Sequence, residues 1–358
     1  MNPQQLNVLA STVQHNCHIT DARHGADYSL CVYLMKMREY YRWEMRLPYG
    51  AALEKDAVGN WLAAREQLWA ELEDAELAPL IIDGVSYDPY DAEAINARLQ
   101  RDGLVYSGGL GNGAKPHFFL GDLECHDDSG GCSVYVAADE HARDLAAPPA
   151  MALGRSIFLR RESLRRMLWE KLESWRWSRP DNALGRAFAC YDFDADLEGS
   201  LDAMTDREIA NVLLHEQGEV QAGRRLGDAD WNAMVMDLAQ TPAELMARAV
   251  RDHLADCLVT LPHLSGVDAT PLGSCADRAA AVHFYLGNLT NMRKAIFPAL
   301  DAAYEDWRRD GDLGRLGAVA AAGRDHWERL GHAMLALHRE HGAEAAGAIR
   351  VLVERSQL

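Results

Sequence analysis

Apolar residues recur at helical spacing along most of the chain and alternate convincingly in one stretch only. DYSLCVYLMKMREYYRWEM, at 27–45, reads as a helix too rich in aromatic and aliphatic residues to face solvent alone. A second helix is expected over Ala57–Glu76, and a turn at Asp88-Pro89 leads into a short third one. Between Tyr106 and Ala137 the pattern turns to strand: YSGGLGNGAKPHFFLGDLEC and CSVYVA flank the turn-rich DDSGG, which predicts an antiparallel hairpin. Ala146-Ala147-Pro148-Pro149 marks a boundary, after which SIFLRRESLRRMLWEKLESWRW returns to helical periodicity.

From Thr205 onward the pattern is helical: 205–227, 241–261, 277–297 and Gly323–His341. Thr205 with Glu208 forms a capping-box signature, and Thr241 precedes Pro242 as an N-cap. The expected fold is mainly α, a helical bundle in the C-terminal half with a small antiparallel β-hairpin element in the N-terminal half. The expected domains are a mixed α+β part over 1–150 and an α-helical bundle over 151–358.

LLHEQGEV, at 213–220, complicates the first bundle helix. At about 100° per residue, Ile209, Val212, Leu213 and Val220 share one face. Glu216 falls near its middle, with Glu219 and His215 along the edge. A carboxylate on a buried face needs a partner, a proton or a metal. The next helix places His253 inside its apolar face and Asp256 at the margin, and the two are three residues apart. In the third, Arg293 lies within the face of Val282, Leu286, Leu289, Ile296 and Leu300, with His283 at its edge.

Imidazoles and carboxylates from facing helices are the usual construction of metal sites in bundles. His215, Glu216, Glu219, His253, Asp256 and His283 are therefore candidate ligands, and Arg293 a candidate for holding a substrate or a spare carboxylate. The mixed set suits iron, zinc or manganese better than magnesium or calcium. Neither the Glu-x-x-His pair of di-iron bundles nor His-Glu-x-x-His is present, since Glu219 stands where the second histidine would be. A buried ion-pair network that fixes helix register is the competing reading.

The 358 residues carry a formal net charge of −18, which disfavours nucleic acid and anionic membranes as partners. No apolar run approaches the roughly 18 residues of a membrane span, and the N-terminus lacks the form of a secretory signal. Seven scattered cysteines without a CxxC pair fit a reduced, cytoplasmic protein. The expected partner is a small-molecule substrate, and self-association is open.

HNCHITDARH, at 15–24, concentrates three histidines, a cysteine and an aspartate. His18 is a candidate ligand there and Cys17 a candidate nucleophile. NCHITDARHGADYSLCVYLMKMREYYRWE resembles the opening of an uncharacterised bacterial protein family with a Cys-His-Ile-Ser/Thr-Asp-Ala-Arg start. The resemblance extends through KPHFFLG, IFLRRESLRRMLWEK and LLHEQGE. It implies a shared architecture and no catalytic assignment. GGLGNGAK lacks the Gly-Lys-Ser/Thr of a phosphate loop, and ECHDDSGGC lacks a second nearby cysteine pair for zinc.

The leading functional expectation is a metal-dependent enzyme with a His/carboxylate centre between bundle helices, in the form of a non-haem iron oxidoreductase. The alternatives are a non-enzymatic interaction protein and a Cys17-based enzyme.

Overall fold

The computed structural model describes residues 1–111, 115–128, 131–266 and 275–358, with backbone alone at 275 and 276. GGLGNGAK and DDSGG therefore lie partly outside the described residues. The chain divides into two compact units, residues 1–170 with 194–205, and residues 171–193 with 206–358.

The first unit opens on α1 (Pro3–His24). Asn2 and Gln5 cap it reciprocally, and Pro3 occupies the first turn, where its missing N–H costs nothing. The polar residues of CHITD are on the buried side: Asn16 exchanges two 2.8 Å bonds with the backbone of Ala78, and Cys17, Thr20 and Asp21 are sealed from solvent. There follow α2 (Leu30–Glu44), α3 (Lys55–Leu72), the ribbon β1 (Leu80–Ile82) and β2 (Val85–Tyr87), and α4 (Ala92–Leu99). Next come β3 (Leu104–Leu110), β4 (Pro116–Asp127), β5 (Ser133–Arg143), β6 (Ala150–Leu153) and β7 (Ser156–Arg160).

The fold is mainly helical, but the expected hairpin is only part of a five-stranded sheet of order β3-β4-β5-β7-β6, beside the separate β1-β2 ribbon. β5 and β7 pair parallel and the other neighbours antiparallel. SIFLR, read as the start of a helix, is strand β7. Short apolar runs fit either period, and no breaker separates this strand from α5 (Arg161–Ser178). Phe118, Leu120, Tyr106, Ile95 and Leu9 pack the core between the sheet and its helices.

The second unit holds α6 (Ala183–Phe188), α7 (Leu197–Leu226, from residue 206), α8 (Asp228–Asp237), α9 (Pro242–Ala255) and α10 (Leu261–Ser265). It continues through α11 (Cys275–Asn288), α12 (Asn291–Ile296), α13 (Pro298–Asp310), α14 (Gly314–His341) and α15 (Ala346–Arg355). Trp231, Trp327, Phe297, Leu254 and Met334 are central to its core. Thr241 caps α9 as expected. Thr205, in contrast, lies inside α7 and donates to Leu201 O (2.7 Å), so its capping-box signature is not used. The expected helix over 277–297 breaks at Leu289, because Thr290 caps a new one. Among the described residues no helix is long and apolar enough to cross a membrane.

Candidate metal centre

The packed face of α7 is turned by about one residue from the apolar stripe in the sequence. Of the stripe only Val220 is buried, while Ile209, Val212 and Leu213 are partly buried; Glu208, Gly218, Ala222 and Leu226 are buried. His215 and Glu219 therefore lie at the centre of this face, with Glu216 at its margin. Gly218 explains how close the neighbouring helix comes: a Cβ there would sit 2.4 Å from Ala255 O at the end of α9.

Beyond Ala255 the helix widens into a π turn over Asp256–Thr260, followed by Pro262, which has no N–H to continue the ladder. The widened turn begins at Asp256, which is 1% exposed and fully engaged. Its Oδ1 accepts from His215 Nδ1 (2.8 Å) and Thr260 Oγ1 (2.9 Å), and its Oδ2 from Tyr285 Oη (2.8 Å) and Arg293. Burial opposes this charge, but Arg293 and His215 outweigh it and hold the carboxyl well below the usual range.

With Nδ1 committed to Asp256, Nε2 of His215 is the nitrogen left for a ligand, the arrangement by which a carboxylate orients a metal-binding imidazole. A ring nitrogen of His215 and carboxylate oxygens of Glu219 and Asp252 lie within 4.8 Å of one another. The three side chains are 30%, 18% and 35% exposed, so a solute can reach them. Arg251 donates to Glu219 Oε2 (2.7 Å), while the other oxygen, Oε1, is buried and has no hydrogen-bond partner. Burial disfavours a charged His215, yet Asp256, Asp252 and Glu219 together lift it to about 10. Glu219 is pushed up to about 7 by burial, against Arg251, and Glu216 is raised by burial as well.

The other sequence candidates stand elsewhere. His253 is fully buried, stacked on Trp327 and edge-on to Phe297. Its Nε2 donates to Arg293 O (2.9 Å), and its Nδ1 faces the Arg293 guanidinium at 3.5 Å. Burial and Arg293 lower it to about 3, so it is a neutral packing group with both nitrogens engaged. His283 pairs with Tyr304 Oη (2.8 Å) on α13, and Arg293 is occupied by Asp256. In the other unit His18 accepts from Trp69 Nε1 (3.3 Å) and faces Arg65. Cys17 is fully buried, and burial, then Asp144, raises its thiol well above the usual value, which disfavours the thiolate a nucleophile needs.

Asp252 is the residue that the sequence pattern missed. Its signal was present: Asp252 and Asp256 are four apart, as His215 and Glu219 are, so two helices each offer an i,i+4 pair.

Glu208, on the same face of α7, is 2% exposed, and its Oε1 has no partner. Burial raises it from 4.5 to about 8. A folded pKa above the unfolded one means that the native state binds more protons between those values. Stability therefore falls as pH rises through that window, by up to about 1.4 kcal/mol per unit. Urea unfolding at pH 5 and pH 8 should show this fall in the native chain and a flatter profile in Glu208→Gln. An equal fall in both would assign it to other groups.

Neither curated proteins nor solved structures match the chain. Family models do match, for the N-terminal domain over residues 8–160 and the C-terminal domain over residues 165–356 of a family of unknown function (DUF6866). Together they span nearly all of the sequence, and the chain belongs to that family.

Proposed function

We propose that this chain is a metal-dependent enzyme, with one ion held by His215, Glu219 and Asp252. The observation that carries this reading is the convergence of the three ligand atoms within 4.8 Å around an imidazole already oriented by a buried carboxylate. Buried polar atoms are normally satisfied, so the unpartnered Glu219 Oε1 supports a ligand at the same place.

One imidazole and two carboxylates fit iron, manganese or zinc. Iron with oxidoreductase chemistry is the leading form, and zinc or manganese hydrolysis the alternative. Three protein ligands leave positions open for substrate, and the ion would supply redox or Lewis-acid chemistry there. Asp256 fixes the His215 ring, Arg293 and Tyr285 fix Asp256, and Arg251 fixes Glu219. Glu216, in electrostatic reach of His215 and Asp252, would be the group to give or take a proton.

The saturated shell of Asp256 also favours a second reading, a polar network that sets helix register without metal. Elemental analysis after anaerobic loading with ferrous, manganous or zinc salts separates the two. About one ion per chain is expected, lost in Asp252→Ala with an unchanged circular dichroism spectrum. No retained ion with any of the three metals would leave the network as the function of these residues.

A further inference from the structure

His215 is one imidazole held by a buried aspartate; a second stands in the N-terminal unit. It is His117 on β4, whose Nδ1 donates to Asp144 Oδ2 (3.1 Å). Asp144 is 1% exposed, whereas the aspartates facing His24, His126, His141 and His338 are 48–69% exposed. Its carboxylate is fixed further by the N–H groups of Phe118 (3.2 Å) and Ala147 (2.5 Å). Ala147 adopts a left-handed φ of 38° in this turn, a strained state for a residue with a side chain. Arg166 braces the same turn through the carbonyls of Ala146 and Ala147, both at 2.8 Å. Burial works against the Asp144 charge, but its bond to His117 and the nearby Arg160 bring it down to about 2.

Among the described residues, Nε2 of His117 has no hydrogen-bond partner and is not sealed from solvent. Gly111 keeps this edge of the ring clear, since a Cβ there would lie 2.7 Å from Nε2. An imidazole with Nδ1–H on a fixed carboxylate and Nε2 free has the geometry of a general base.

Cationic side chains gather near Asp144, which is in electrostatic reach of Lys36. Lys36 and Lys115 lie over the Tyr28 ring, 5.2 and 5.7 Å from its centroid. Lys115 pairs with Asp27 (2.7 Å), whereas Lys36 makes no ion pair among the described residues. Arg143 and Arg166, both in electrostatic reach of Lys36, each have a buried Nε without a partner. Asp21 Oδ2 is also unpartnered, and burial and the neighbouring Asp144 raise that carboxyl well above the usual range. Unmet buried donors call for a ligand rich in acceptors.

We propose that the N-terminal unit carries a second site, in which His117 takes a proton from a hydroxyl or water beside an anionic group, carboxylate or phosphate, anchored by Lys36 and Lys115. The N–H bond forms at Nε2 as the O–H bond breaks, the electron pair stays on that oxygen and makes it the nucleophile, and Asp144 faces the resulting imidazolium. This site is independent of the metal reading.

Diethyl pyrocarbonate, which acylates accessible unprotonated imidazoles, tests it on the full chain with mass-spectrometric readout and exposed His332 as control. His117 should react, and inorganic phosphate or acetate at ten times its Kd should slow that reaction about tenfold without affecting His332. Whichever anion protects identifies the group. In Lys36→Met, Lys115→Met, His117 should still react and protection should vanish. An inert His117, a reactive His117 that neither anion protects, or protection that survives the double variant would each overturn the proposal.

Discussion

Replacing Asp256 by alanine is expected to lower the unfolding free energy by about 3–5 kcal/mol. The size follows from what the carboxylate holds. Arg293 is 11% exposed and makes its close ion pair with Asp256, so the variant leaves a buried guanidinium with only the more distant Asp252, at 3.9 Å, as counter-charge. Thr260, Tyr285 and His215 lose their acceptor at the same time. Denaturant unfolding followed by tryptophan fluorescence checks this. A loss under 1 kcal/mol would mean that the network does not hold these helices together. Asp256→Asn preserves the shape but not the charge, and should instead weaken metal binding about 10–100-fold by releasing the orientation of His215.

The N-terminal unit has a counterpart in Glu140, and Glu140→Ala is expected to cost a similar 3–5 kcal/mol or so. Glu140 is fully buried on β5. Arg160, at the end of β7, grips it with two bonds of 3.0 and 2.8 Å, and Ser163 at the start of α5 adds a third of 2.6 Å. Burial penalises the charge, yet Arg160 and Arg143 outweigh that penalty and hold the carboxyl below its usual value. The residue thus ties β5, β7 and the start of α5 together. Alanine would leave Arg160 buried without its carboxylate, while Glu140→Gln, which keeps one acceptor, should cost less. Equal losses in the two variants would place the effect in packing instead of charge.

Helices with clear punctuation were legible in the sequence. Thr241-Pro242 capped α9 as expected, and α2 lies where its aromatic periodicity placed it. The sheet was only half legible, because β6 and β7 are short apolar segments, and β7 joins the sheet through β5, a parallel partner that is not its neighbour in sequence. The candidate centre was legible in kind more than in detail. His215 and Glu219 were named, but Ile209, Val212 and Leu213 drew the apolar stripe to the wrong side of α7. Gly218 was the better marker, since a glycine inside a helix that carries His and Glu permits backbone contact at that point. His253 misled for a physical reason: a histidine on an apolar face can be satisfied by one carbonyl and two aromatic rings.

The central claim is that α7 and α9 hold an ion between His215, Glu219 and Asp252, and anomalous diffraction tests it most directly. Crystals of the chain loaded with zinc or manganese would be measured at the absorption edge of the metal. The account requires an anomalous peak about 2.0–2.2 Å from one nitrogen of His215 and from oxygens of Glu219 and Asp252. A loaded crystal with no peak at these three residues, or with its ion bound elsewhere, would contradict it.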